Sequence, residues 1–169
     1  MRFSVCYRKR VHSHLSIHLI AHNIRSLWNV GSLFRTCDGL GVEKIYLTGY
    51  TGYPPRKEIT KTALGAEEFV EWEHRDEPMH VIEELKEDGF QIVSLEQTAT
   101  SISIDEFDPT YPLCLILGNE IDGVRDDILK ASDTVLEIPM LGKKESLNVS
   151  VAAGIALHAL MKKEVQISM

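Results

Sequence analysis

The chain has 169 residues, of which 44% are apolar and 25% charged, with a formal net charge of −7. That describes one soluble globular domain with its own core. It contains no run near the roughly 18 to 20 apolar residues that span a bilayer, and its start, MRFSVCYRKRVHSH, lacks the apolar centre of a secretory signal. Cys6, Cys37 and Cys114 are widely spaced and form no C-x-x-C pair, which argues against a disulfide frame or zinc site and for a reducing, cytoplasmic setting.

The net charge counts against a nucleic-acid partner, but its distribution does not. Arg2, Arg8, Lys9, Arg10, Arg25 and Arg35 lie within residues 1–37, where no Asp or Glu occurs, and His12, His14, His18 and His22 lie there too. Such asymmetry marks a polyanion-facing surface or a basic tail with no partner. The basic addition proper is about 1–15. After it, Ser16 to Ala21 alternates as a strand. Val30, Leu33, Phe34, Cys37 and Leu40 then recur at helical spacing, with Asn29 able to cap the helix and Gly39 and Gly41 ending it.

Glu43 to Thr48 reads as a second strand, Gly49 to Pro55 as a loop, and Lys57 to Leu64 as a short helix. A short strand is expected at Phe69 to Trp72, an amphipathic helix at Asp76 to Asp88 and a strand at Phe90 to Leu95. Thr98 to Pro112 reads as a polar loop with a turn at Ser103 to Asp105. Leu113 to Leu117 (LCLIL) has the continuous apolar profile of a parallel strand buried on both faces. A helix at Val124 to Ala131 and a strand at Thr134 to Ile138 follow. The helix beginning near Leu147 has almost no polar face, so it needs cover from more than the sheet, which suggests a partner subunit. Strands alternating with helices give an α/β fold with a mostly parallel sheet.

Ligands of open α/β sheets sit beyond the carboxyl ends of strands. Three such ends carry unusual polar residues: 23–35, 118–123 and 139–148. The absence of G-x-G-x-x-G, Walker A, G-x-S-x-G and H-E-x-x-H patterns disfavours dinucleotide enzymes, P-loop ATPases, α/β-hydrolases and zincins. No metal is expected at the histidines. Each polar residue alone has an ordinary explanation: Asn29 as a cap, Arg35 as a solvated charge, Glu120 as an exposed turn residue. Ser146 could cap the last helix with Asn148 in its first turn, and Lys143 and Lys144 could be a solvated loop.

Together the three segments resemble the three motifs of the SpoU (TrmH-like) branch of the SPOUT RNA methyltransferases. NIRSLWNVGSLFRTCDGLGV is similar to the first, with Asn29 and Arg35; LILGNEIDGV to the second, with Glu120; and IPMLGKKESLNVSVAAGIALH to the third, with Ser146 and Asn148. Order and spacing agree over about Leu19 to Leu160. The resemblance implies a single domain with a Rossmann-like sheet, helices on both faces, and a deep trefoil knot over about 113–160. It implies S-adenosylmethionine held in the knot at Gly118, Ile138 and Leu147, with Leu117, Asn119, Met140 and Asn148 near. It also implies a homodimer through the C-terminal helix, and methyl transfer to a ribose 2′-hydroxyl of tRNA or rRNA.

In that reading Arg35 is either the general base or a cationic clamp on the RNA phosphate, from a subunit the sequence does not specify. An arginine is an awkward base because it stays protonated to high pH. Glu120, Ser146 and Asn148 orient Arg35 and the ribose, and Asn29 supports Arg35 or acts across the dimer. The alternatives are a catalytically inactive knotted RNA-binding module, and a methyltransferase acting on a base or a small molecule. The segment Gly49 to Glu68, made locally basic by Arg56, Lys57 and Lys61, reads equally as a substrate-side loop and helix or as a purely structural one.

Overall fold

The structure, a computed structural model, describes the backbone of residues 16–167 and the side chains of 16–163. Arg2, Arg8, Lys9, Arg10, Cys6, His12 and His14 therefore lie outside the described residues. In chain order the elements are β1 (Ile17–His22), α1 (Leu27–Leu40), β2 (Lys44–Thr48), α2 (Lys57–Ala63), a single 3-10 turn (Ala66–Glu68), β3 (Glu71–Arg75) and α3 (Pro78–Glu87). They continue with β4 (Gln91–Leu95), β5 (Ile102–Ser103), β6 (Leu113–Leu117), α4 (Asp126–Ala131), β7 (Thr134–Glu137) and α5 (Val149–Ile167).

The strands form one sheet in the order β3-β2-β1-β6-β4-β7-β5, with every neighbouring pair parallel. Among the described residues the sheet starts at β1, builds outward to β3, then crosses to place β4 two positions away on the other side. β6 later fills the gap between β1 and β4. It is the strand read from LCLIL, and all five of its residues are buried.

Strand alternation divides the core. Leu113, Leu115 and Leu117 point to the face covered by α1, α2 and α5, where Val30, Leu33, Phe34, Ile59, Ala156 and Leu157 pack. Cys114 and Ile116 point to the face covered by α3 and α4, against Val81, Ile82, Leu85 and Ile128. Burial pushes the thiols of Cys37 and Cys114 far above their ordinary range, so they act as small apolar side chains.

Four expectations need correction. Helix α1 starts at Leu27, ahead of the first residue in the apolar spacing, and its cap is Ser26, which accepts from the Asn29 N–H at 3.3 Å. The Asn29 side chain is thereby free for another partner. The third strand covers Glu71–Arg75 rather than 69–72, because the 3-10 turn occupies the preceding residues and leaves Phe69 exposed. The expected polar loop at 98–112 contains β5, which is only two residues long but pairs with β7 at Ile102 and Ser103. Finally, Asn148 and not Ser146 caps α5, its side-chain oxygen accepting the Ser150 N–H at 3.0 Å. Among the described residues no helix is long and apolar enough to cross a membrane.

Leu115 is fully buried at the centre of the sheet. The Leu115→Ala variant is expected to lose about 2–5 kcal/mol of stability, read from the urea midpoint at unchanged slope.

Candidate active site

Strands β4, β6 and β7 are neighbours, and their carboxyl ends open on a cleft of about 280 Å³. The segment after β6 forms its first wall. Asn119 N–H donates to the Gly123 carbonyl and Gly123 N–H to the Asn119 carbonyl, both at 3.0 Å, which closes the intervening residues into a tight turn. Inside the turn, the Asn119 side-chain oxygen accepts the N–H groups of Ile121 (2.7 Å) and Asp122 (2.9 Å). Gly118 passes so near this turn that an added Cβ would lie 2.3 Å from the carbonyl carbon and oxygen of Gly123. No larger residue fits that crossing.

The other walls come from the end of β4 and the residues after it (Leu95, Glu96, Gln97) and from the segment leading into α5 (Ile138, Met140, Glu145, Ser146, Leu147). Six of the seven residues expected to bind cofactor line the cleft: Leu117, Gly118, Asn119, Ile138, Met140 and Leu147. The seventh, Asn148, lies outside its lining. Of the expected catalytic residues, Glu120 and Ser146 line the cleft, while Asn29 and Arg35 do not. Glu96 and Gln97 line it too, although no motif singles them out. The signal available was position alone, since β4 ends beside β6. Glu96 also braces the second motif, its carboxylate accepting the Val124 N–H at 2.9 Å.

The five expected catalytic residues come from three distant segments, and three of the five, Asn29, Glu120 and Asn148, are joined by hydrogen bonds at the rim. The Glu120 carboxylate accepts the N–H groups of Arg25 (3.0 Å) and Ser26 (3.4 Å) and the side-chain amide of Asn29 (3.0 Å). The Asn29 side-chain oxygen in turn accepts from the Asn148 amide at 3.1 Å. The Asn148 oxygen receives both the N–H and the hydroxyl of Ser150. Each amide thus donates toward Glu120 and accepts from the next group, so the relay has one direction. Ser146 lines the cleft without joining the relay.

Partial burial works against charge on Glu120, but the donors from Arg25, Asn29 and Ser26 outweigh it and hold the carboxyl below the ordinary glutamate range. On the other side of the first motif, burial, reinforced by the nearby Arg125 charge, lowers the His22 imidazole. Its Nδ1 lies 3.0 Å from the Thr48 hydroxyl and its Nε2 2.9 Å from the Asn23 amide, which suits a neutral ring that donates to Thr48.

Arg35 stands apart. It is exposed on α1, six residues and therefore about 9 Å along the axis from Asn29. It borders a second recess lined by Ser32, Thr36, Lys61 and Thr62. Among the described residues its side chain makes no hydrogen bond or ion pair, and no cluster of three or more His, Cys, Asp or Glu side chains could hold a metal.

A glutamate held ionised by folded-state donors stabilises the fold fully above its ordinary pKa, and that contribution fades as pH falls through the lowered folded value. Glu120→Gln should accordingly be less stable than the parent near pH 7. The deficit should shrink as pH drops below the ordinary glutamate value, as measured by urea unfolding at both pH values.

The model of the SpoU rRNA Methylase family matches residues 16–158. A tRNA (guanosine(18)-2′-O)-methyltransferase of Aquifex aeolicus is 36% identical over 146 residues, covering 86% of this chain and 68% of that enzyme. The crystal structure of the A. aeolicus TrmH/SpoU tRNA modifying enzyme superposes with a TM-score of 0.82 at 33% identity, over 90% of this chain and 77% of that one. The SpoU methyltransferase AviRb from Streptomyces viridochromogenes, in complex with AdoMet, superposes with a TM-score of 0.83 over 89% of this chain and 61% of its own. At 21% identity that last likeness is one of fold. The matched span takes in all three strand-end segments and the whole hydrogen-bonded rim, and the chain belongs to the SpoU rRNA methylase family.

Proposed function

We propose that the chain transfers a methyl group from S-adenosylmethionine to the ribose 2′-hydroxyl of an RNA nucleotide, in a tRNA or an rRNA. The observation that carries this reading is the relay from Glu120 through Asn29 to Asn148, at the mouth of a cleft lined by the residues expected to hold the cofactor.

The lining suits that cofactor. Leu95, Leu117, Ile138, Met140 and Leu147 offer apolar surface to an adenine ring and a methionine chain, while Glu96, Glu137 and Glu145 offer negative charge to a cationic ligand. When bound, S-adenosylmethionine supplies an electrophilic methyl group on a sulfonium. The protein's part is to bring the 2′-oxygen in line with it and to handle the proton that leaves the oxygen. Glu120, fixed by three N–H donors, holds the Asn29 amide, and Asn29 holds Asn148. Ser146, on the cleft wall and outside the relay, is available to the ribose.

Arg35 completes the set as a clamp on the RNA phosphate or as the proton acceptor. Its distance from the relay favours action on the cleft of a second protomer. Support for that arrangement comes from α5, whose exposed side presents Val151 (50% exposed) and Ile155 (42%) with the small residue Gly154 between them. Thr36, the neighbour of Arg35, lies 3.8 Å from where a Gly154 Cβ would stand. A homodimer packed on this face of α5 buries its apolar residues and carries Arg35 to the boundary between subunits. We take residues 113–160 as a trefoil knot, the chain as one such domain, and its setting as cytoplasmic.

Arg35→Ala is expected to lose at least about a hundredfold in methyl transfer to RNA while keeping S-adenosylmethionine affinity. Mixed with Gly118→Ala, whose added Cβ collides with the Gly123 backbone and displaces the cleft wall, it should regain activity in heterodimers, because the intact cleft then meets an intact Arg35 from its partner. No recovery on mixing would put Arg35 to work within its own protomer. Full activity of Arg35→Ala alone would remove it from the mechanism.

A further inference from the structure

The ion pairs of the described residues engage Lys44, Arg75, Lys86 and Arg125 as their Lys and Arg partners. None involves Arg25, Arg56, Lys57 or Lys61, and all four are exposed on or beside the α1–α2 face. In a chain of net charge −7, these four cations share one surface with Arg35, while Lys130, Lys143, Lys144, Lys162 and Lys163, which also stand outside the ion pairs, are divided among α4, the loop before α5 and α5 itself. A local group of cations without acidic partners suits a polyanion.

Aromatic rings share the surface. Trp28 on α1 is 46% exposed, with the Lys61 ammonium 5.5 Å from its ring centroid. Tyr50, in the loop after β2, is 60% exposed. Neither ring is there to fill a core. The surface is also continuous with the cleft. Asn119 on the cleft wall donates its amide to the Tyr50 hydroxyl at 2.5 Å, which fixes the ring at the mouth. From Tyr50 the loop runs over the start of α1, where Gly52 abuts Leu27 so closely that an added Cβ would lie 2.2 Å from its Cδ2, with Arg56 alongside. The Thr62 hydroxyl then donates to the Trp28 carbonyl at 3.0 Å and ties α2 to α1.

We infer that this surface is a track for a single-stranded RNA segment next to the target nucleotide, with Tyr50 and Trp28 as stacking platforms and Arg25, Arg56, Lys57 and Lys61 on the phosphates. A single nucleic-acid strand fits because it offers both unpaired base faces and a close-spaced row of charges, and the ribose acceptor of the proposed reaction makes that strand RNA. A duplex presents phosphates without base faces, and an acidic protein surface presents charge without flat rings to stack. The inference rests on the methyltransferase reading for why the track ends at the cleft, but binding to it does not require catalysis.

The test uses the full chain, an unstructured RNA of about 12 nucleotides, a duplex of the same length and unfractionated tRNA, with affinity followed over a salt series. Trp28→Ala should bind the single strand about tenfold more weakly. Lys57→Gln/Lys61→Gln should flatten the dependence of log affinity on log salt by about 1.4, which is about 0.7 for each phosphate that a lysine no longer neutralises. Both should keep the parent's far-UV circular dichroism and urea midpoint. Adding the single strand should quench tryptophan emission in the parent and do so much less in Trp28→Phe, which retains Trp72. Unchanged affinity and salt slope in these variants, a parent that binds no RNA, or equal preference for duplex would each overturn the track. The two readings separate cleanly. A parent that methylates RNA with variants that bind normally loses the track alone, whereas weakened variants of a parent that methylates nothing lose the enzyme alone.

Discussion

The carboxylate of Glu120 is the point on which the site depends. It sits in the turn after β6, and the groups it receives belong to the start of α1, more than ninety residues earlier. Two backbone N–H groups at a helix start are a natural seat for a carboxylate, since they are unpaired there and carry partial positive charge. Occupying that seat leaves Glu120 ionised and leaves the Asn29 amide one defined orientation. Asn29 in turn fixes Asn148, which caps α5. A single acidic side chain thus ties the second motif to the first, and through it to the third.

The sheet order makes this possible. Because β6 is inserted between β1 and β4, the turn at 118–123 emerges beside the end of β1 on one side and the end of β4 on the other. The first side gives Glu120 its partners on α1. The second gives Val124 its brace from Glu96. The near-contact of Gly118 with Gly123 then lets the backbone of β6's end form a cleft wall with no side chain in the way. The cleft and the relay are therefore two sides of one turn, held in place by a strand that is buried along its whole length.

Much of this is legible in the sequence. The apolar run LCLIL has the profile of a doubly covered strand, and the order of the three polar segments points to the family and to most of the cleft lining. What escapes is set by tertiary partners. Asn29 looks like a helix cap because asparagine caps well, but Ser26 does so too, and only the Glu120 carboxylate across the fold decides between them. Ser146 and Asn148 pose the same choice at α5, resolved in favour of Asn148. The strand at Ile102–Ser103 is invisible because two residues carry no period. Glu96 enters the cleft through adjacency of β4 to β6, which is a property of topology and leaves no local mark.

Charge of each sign acts in its own place. The cleft is lined by carboxylates, the α1–α2 face by unpaired cations, and Arg35 lies at the edge of that face beside α5. In the proposed reading, a cationic cofactor and an anionic RNA are thus drawn to different surfaces that meet at the rim. The most direct check of methyl transfer to ribose is to incubate the full chain with methyl-labelled S-adenosylmethionine and total RNA, digest the RNA to nucleosides, and identify the labelled product. The expected result is label on a 2′-O-methylnucleoside. Label confined to methylated bases would contradict the assigned acceptor, and label in no RNA would return the chain to the reading of an inactive RNA-binding module.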